Sequence, residues 1–269
     1  MSRDIGGLMG SGDPSPVDLP GASPAVLAIH GFGATPAETA LIVETARAAG
    51  LRVKAPLLPG HGTHATDLAR RKFGEWKAAA LDAFDEITAD GSRAIVVGQS
   101  LGGVLALHVA QERPGAVAGL GLLATAIRLT KLTTELPLRL IDRAKVPDFT
   151  LPKANGADIK DLSARETQLT YGTQPIHAAV EVMRGGMQAE ARLGEILSPV
   201  FIAHGRGDHV CPVGNAQVIY EHVGSTDKTV LILENSYHII TRDNDRALLG
   251  RELARFVKRI SRGTESPWP

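Results

Sequence analysis

The feature that most constrains this chain is the alternation of short, predominantly apolar runs with segments of helical period. The runs are Val26–His30, Arg52–Leu58, Ala94–Gly98, Val117–Leu123, Val200–Ala203 and Val230–Leu233. None shows the clean apolar–polar alternation of a strand with one wet face, so these read as strands buried on both faces. Between most of them lie Pro36–Ala49, Phe73–Ala89, Leu101–Gln111 and Ala216–His222, whose apolar residues recur at helical spacing, and Arg246–Ile260 follows the last run. Strand and helix in strict succession predict an α/β fold: a mostly parallel, doubly wound sheet of about 6–7 strands with right-handed crossovers.

The succession breaks once. From Ile127 to Leu197 no convincing strand is legible, only polar, proline-punctuated and weakly helical sequence. A stretch of that length is too long for a loop inside a compact domain, so it predicts an inserted helical cap. The expected division is a core of residues 1-126 and 198-269 and a cap of residues 127-197. Leu132, Leu136, Leu138, Leu140, Ile141 and Ile159 could line a pocket in that cap or pack it onto the body. The first 24 residues carry Asp13-Pro14-Ser15-Pro16 and Leu19-Pro20-Gly21, which suits an irregular arm or one short edge strand, with the sheet trimmed there.

Composition narrows the class of partner. Formal net charge is zero over 269 residues, so no global field favours nucleic acid, an anionic membrane or a charged substrate. The longest apolar stretch, Gly115–Ile127, stops at Arg128 and is too short to span a bilayer. No basic-then-apolar leader precedes the first strand, and a single cysteine, Cys211, fits a reducing compartment. A cytoplasmic protein acting on a neutral small molecule is expected, as monomer or homodimer, with peripheral membrane contact through the cap left open.

The chemistry centres on Gly98-Gln99-Ser100-Leu101-Gly102, a G-x-S-x-G pattern between an apolar strand and a helix. That context makes it the nucleophile elbow of the α/β-hydrolase fold, where small residues on both sides permit the sharp turn. A serine hydroxyl is a poor nucleophile at neutral pH and needs a base, which in turn needs an acid to orient it. The chain order Ser, acid, His places the acid after the strand Val200–Ala203, where Asp208 stands, and the base after the last strand, where His238 stands. Asp227 and Glu234 fit the acid position less well, and His204 and His222 fall on earlier elements. Backbone N–H groups of Leu101 and of Phe32, in His30-Gly31-Phe32-Gly33, are the expected donors to an oxyanion. Gly60-His61-Gly62-Thr63-His64 reads as a tight loop at the mouth of the site, with His61 a candidate substrate contact. No carboxylate–histidine set accompanies its two histidines, so neither a metal nor another cofactor is expected. Cys211 reads as a small packed residue.

With these residues placed, the chain resembles bacterial carboxylesterases and monoacylglycerol lipases of the α/β-hydrolase superfamily. The likeness runs from Asp18 onward and is carried by Leu19-Pro20-Gly21, His30-Gly31-Phe32-Gly33, Pro59-Gly60-His61-Gly62-Thr63, Gly98–Gly102, Asp208-His209-Val210 and Asn235-Ser236-Tyr237-His238. It implies hydrolysis of carboxylic esters with medium or long acyl chains and a small cap forming the acyl tunnel. Lipases of this type bind the glycerol hydroxyls with an acidic cap residue, and an alignment on Tyr171 and Pro175 puts Gln168 at that position. Gln168 is thus a second candidate substrate contact, one without charge assistance. The same triad could instead serve a thioesterase or a C–C bond hydrolase, and a non-catalytic binder on this fold is the rival from another class.

Overall fold

The structure, a computed structural model, describes residues 7–130, 140, 149–153 and 156–263. In chain order the strands are β1 (Leu8–Met9), β2 (Val17–Leu19), β3 (Ala22–Ile29), β4 (Leu51–Ala55), β5 (Ala94–Gln99), β6 (Val117–Leu123), β7 (Thr150–Pro152), β8 (Thr170–Tyr171), β9 (Thr173–Pro175), β10 (Val200–Gly205) and β11 (Lys228–Leu233). The helices are α1 (Ala40–Ala48), α2 (Ala65–Ala69), α3 (Phe73–Ile87), α4 (Leu101–Glu112), α5 (Leu162–Thr167), α6 (Ile176–Glu190), α7 (Gly214–His222) and α8 (Arg246–Ser261).

Seven strands form one sheet in the order β11-β10-β6-β5-β3-β4-β2, parallel throughout except for β2, which runs antiparallel to β4. The short edge strand expected from the N-terminal arm is β2. Successive residues of the central strands enter different cores. Leu27, Ile29 and Val96 pack under α3 and α4 with Trp76, Phe84 and Leu105. Val26, Ala28, Ile95 and Val97 pack against α1 and α8 with Ile42, Leu249, Leu253 and Phe256. Both faces are therefore dry, which is why these strands read as unbroken apolar runs.

Two local readings are refined. Pro36–Ala49 is a 3-10 turn, Pro36–Thr39, followed by α1; Pro36 occupies the first turn, where its missing N–H costs nothing. Among its described residues, the segment 127–197 contains three ladder strands of two or three residues, too short for any period to show: β8 pairs with β1, and β7 pairs with β9. It also contains α6, fifteen residues long, which packs on α3 and α4 of the body. A Cβ at Gly185 would lie 2.1 Å from the Phe73 ring, and one at Gly186 would lie 2.5 Å from the Ala126 carbonyl oxygen. Of the apolar residues singled out in this segment, Ile159 is fully buried and Leu140 is exposed. Leu132, Leu136, Leu138 and Ile141 lie outside the described residues. Among the described residues no helix is long and apolar enough to cross a membrane.

Candidate active site

Ser100 stands between β5 and α4 with φ 57° and ψ −113°, a positive-φ conformation that a non-glycine residue adopts only when its surroundings enforce it. The enforcement is close backbone contact. A Cβ at Gly102 would sit 2.0 Å from the Ile29 carbonyl oxygen, and one at Gly98 would sit 2.0 Å from the Gly102 carbonyl oxygen. Both glycines of the motif are thus required by packing, not by flexibility. The Ser100 N–H donates to the Leu123 carbonyl at 2.8 Å, anchoring the turn to β6.

The Ser100 hydroxyl lies 2.9 Å from His238 Nε2, and His238 Nδ1 lies 2.8 Å from Asp208 Oδ2. The loops carrying Asp208 and His238 fit together because Gly205 and Gly207 leave room: a Cβ at either would collide with the Tyr237 carbonyl or ring. The histidine loop is pinned from several sides. Tyr237 N–H donates to Asp243 at 2.7 Å, and the Ser236 hydroxyl donates to Asp245 at 2.9 Å. The N–H groups of His238 and Ile239 both donate to the Asp158 carbonyl at 3.1 Å, and Gln99 Nε2 donates to the His238 carbonyl at 2.9 Å.

Asp208 has no exposed side-chain surface, and both of its oxygens are saturated. Oδ1 accepts the N–H groups of Val210 and Cys211, each at 2.8 Å. Oδ2 accepts a second histidine besides His238: His204 Nε2 lies 3.0 Å away and 3.3 Å from the Cys211 carbonyl. Both neighbours are acceptors, so that nitrogen carries the proton. The sequence shows His204 only as a strand-end residue; its position four before Asp208 is the signal that could have found it.

Burial alone would push the Asp208 carboxyl up, but the charge on His238 and the hydrogen bonds from His204 and His238 hold it well below the usual carboxylate range. His238 moves the other way. Burial would lower it, and the charge and hydrogen bond of Asp208, with Asp158 and Glu38 adding to them, leave it above the ordinary imidazole value. A neutral imidazole in this position can take the Ser100 proton, and the carboxylate stabilises the imidazolium that results.

The segment His30–Gly33 flanks the nucleophile, since a Cβ at Gly31 would stand 3.4 Å from Ser100 Cβ. His30 is buried, and its Nε2 accepts the Leu58 N–H at 3.1 Å, so its Nδ1 carries the proton and donates to the Gly31 carbonyl at 2.9 Å. Burial holds this imidazole down at about 4, hence neutral, with the Gly31 bond opposing. Leu101 directly follows Ser100 as the first residue of α4, and Phe32 follows Gly31 on the loop that flanks it. Glu38, which sequence reasoning passed over, is 3% exposed and accepts the Gly31 N–H at 2.7 Å.

The two candidate substrate contacts are both buried. His61 packs against His30, Phe32 and Trp76 and donates from Nδ1 to the Pro59 carbonyl at 3.1 Å. Its Nε2 has no partner among the described residues, and burial keeps the ring neutral. Gln168 is engaged at both ends: Oε1 accepts from Arg242 at 2.9 Å and Nε2 faces Glu38 at 3.3 Å. Lys153, lowered to about 8 by burial against the opposing charge of Glu38, donates to the Thr170 hydroxyl, which donates to the Gly33 carbonyl.

Asp208, Cys211 and His238 place potential ligand atoms within 4.8 Å of one another. A thiol ligates as thiolate, however, and burial beside the Asp208 and Asp158 charges pushes the Cys211 thiol well up. The donor set suits a hydrogen-bonded acid and base beside a packed thiol.

The family described as serine aminopeptidase, S33 (Hydrolase_4) matches residues 21–245. Among curated relatives, the thermostable monoacylglycerol lipase of Bacillus sp. (strain H-257) is 32% identical over 240 residues, covering 87% of this chain and 90% of that protein. The carboxylesterase of Bacillus subtilis (strain 168) is 24% identical over 250 residues, covering 92% and 97%. A solved structure from work on LipS and LipT, two metagenome-derived lipolytic enzymes, superposes with a TM-score of 0.84 at 31% identity, covering 91% of this chain and 98% of that one.

Proposed function

The chain belongs to the serine aminopeptidase S33 family of α/β-hydrolases, and on that premise we propose that it hydrolyses neutral carboxylic esters through an acyl-enzyme formed on Ser100. The family is described by a peptidase, but a monoacylglycerol lipase and a carboxylesterase both match nearly the whole chain, which favours the ester bond. The observation that carries the reading is the unbroken relay from Ser100 Oγ through His238 to Asp208, at 2.9 and 2.8 Å.

In the reaction, Ser100 Oγ attacks the ester carbonyl while His238 Nε2 takes its proton. The N–H groups of Phe32 and Leu101 receive the oxyanion, and Asp208 stabilises the imidazolium. His238 then gives the proton to the leaving alcohol, the acyl group remains on Ser100, and the same imidazole activates water to release the acid. The inserted segment 127–197 is the part of the chain proposed to cover the acyl site.

Recognition falls on the acyl chain more than on the alcohol. Gln168, the residue placed where related lipases read glycerol, already spends its carbonyl on Arg242 and directs its amide to Glu38. His61, with its free Nε2, is the better candidate for a polar contact to the substrate. The test is initial rates on a p-nitrophenyl ester series of increasing chain length beside monoacylglycerols of matched acyl groups. We expect turnover of the nitrophenyl series with no more than about tenfold preference for glycerol esters, the scale of one uncharged hydrogen bond. A larger preference would contradict the head-group reading, and no turnover of any ester would contradict ester hydrolysis.

A further inference from the structure

We propose that Glu38 is a positioning residue of the reaction centre, its buried carboxyl group fixing the Gly31–Phe32 segment beside Ser100. The inference rests on the ester-hydrolase reading for its chemistry and on separate contacts for its geometry. Glu38 lies on the 3-10 turn that follows the segment, seven residues beyond Gly31, and its side chain turns back to it. Oε1 accepts the Gly31 N–H at 2.7 Å, while Oε2 faces Gln168 Nε2 at 3.3 Å. A Cβ at Gly31 would be 2.9 Å from Oε1 and 3.4 Å from Ser100 Cβ, so carboxylate, loop and nucleophile form one packed layer.

Two consecutive peptide planes are thereby fixed. Glu38 holds the His30–Gly31 peptide by its N–H, and His30 Nδ1 holds the Gly31–Phe32 peptide by its carbonyl at 2.9 Å. In a planar trans peptide the N–H points opposite to the carbonyl, so securing the Gly31 carbonyl aims the Phe32 N–H. An oxyanion donor is effective when it is aimed before the charge develops. A carboxylate is also an expensive group to bury, and here it is retained directly against the loop that needs aiming. Burial raises the Glu38 carboxyl, opposed by the bond from the Gly31 N–H and by the charges of His238, Lys153 and Arg242.

The experiment compares wild type, Glu38→Gln, which keeps an acceptor for the Gly31 N–H, and Glu38→Met, which keeps the volume without one. The readout is the rate constant and the amplitude of fluorophosphonate labelling of Ser100 across pH, with kcat and KM for a p-nitrophenyl ester alongside. Labelling needs the nucleophile, base and oxyanion donors but no particular ester. The inference predicts that Glu38→Met slows labelling and lowers kcat by about tenfold or more at unchanged amplitude and KM, with Glu38→Gln recovering most of the loss. Wild-type labelling by Glu38→Met, or an equal loss in Glu38→Gln, overturns it. Should Glu38→Met fail to fold, wild-type labelling by Glu38→Ala, which removes the acceptor without adding bulk, overturns it. Wild type that labels but turns over no ester contradicts only the ester reading; wild type that does not label contradicts both.

Discussion

At the scale of single residues, the proposed reaction has its pH range set by His238. It is a base only when neutral, and Asp208, Asp158 and Glu38 hold its proton more tightly than an exposed imidazole would. kcat/KM should therefore fall on acidification through a limb lying above the ordinary value of 6.5, and a pH–rate profile measures it. Asp208 shows the opposite linkage. Its lowered carboxyl contributes stability that is present above the unfolded carboxylate range and lost only as pH falls through the folded value, so the acid should stay ionised wherever the base is active. His204→Ala removes one donor to that buried carboxylate and should cost about 1.5–3 kcal/mol in urea denaturation, the worth of a hydrogen bond to a charged group. The residues of the relay are legible in the sequence because the fold fixes their order along the chain and their places at strand ends. His204 could be read only through its spacing of four from Asp208, while Gln99 and Glu38 are not legible because what they touch is decided by tertiary proximity: Gln99 meets a carbonyl 139 residues away and Glu38 an amide 130 residues away.

At the scale of elements, the elbow is a contact problem between backbones. Gly102→Ala would push a methyl to within 2.0 Å of the Ile29 carbonyl oxygen, so β3 or α4 must shift. The expected result is a folded fraction and a kcat both sharply reduced, since overpacking typically costs about 1–3 kcal/mol and the displaced strand leads into His30–Gly33. Gly74→Ala is the contrasting case. Gly74 is exposed in the first turn of α3 with nothing near its absent Cβ, so alanine should raise stability by about 0.5–1 kcal/mol and leave kcat unchanged. The body strands were readable because burial on both faces leaves apolar runs. Helix α6 was legible only as weakly helical sequence, because its interior carries Gly185 and Gly186, poor helix formers kept where they pack on the Phe73 ring and the Ala126 carbonyl. A buried polar residue, Glu181, adds to the disguise; it accepts the Phe73 N–H at the start of α3.

At the scale of the whole molecule, polar contacts near the reaction centre add to the apolar packing of α6 in joining the segment beyond β6 to the rest of the chain. Tyr171, fully buried, donates its hydroxyl to the Gly60 carbonyl at 2.9 Å and accepts the Thr63 N–H at 3.0 Å. Tyr171→Phe keeps the ring and leaves both backbone groups unpaired, and should lower stability by about 1–3 kcal/mol by thermal or urea unfolding. Asp158 joins the same segment to both loops of the relay, its carboxylate to His209 at 2.8 Å and its carbonyl to His238. None of these joints has a pattern in the sequence, since each pairs residues from loops whose meeting depends on the folded sheet. They converge on one claim, that the molecule is organised around an acyl-enzyme on Ser100. The direct test is p-nitrophenyl ester hydrolysis by purified wild type and Ser100→Ala side by side. The account predicts a loss of about 10⁴-fold or more in kcat, the scale seen when a triad nucleophile is removed. A Ser100→Ala protein that keeps its activity to within about tenfold would contradict it, because a loss that small is far short of what removing the nucleophile must cost.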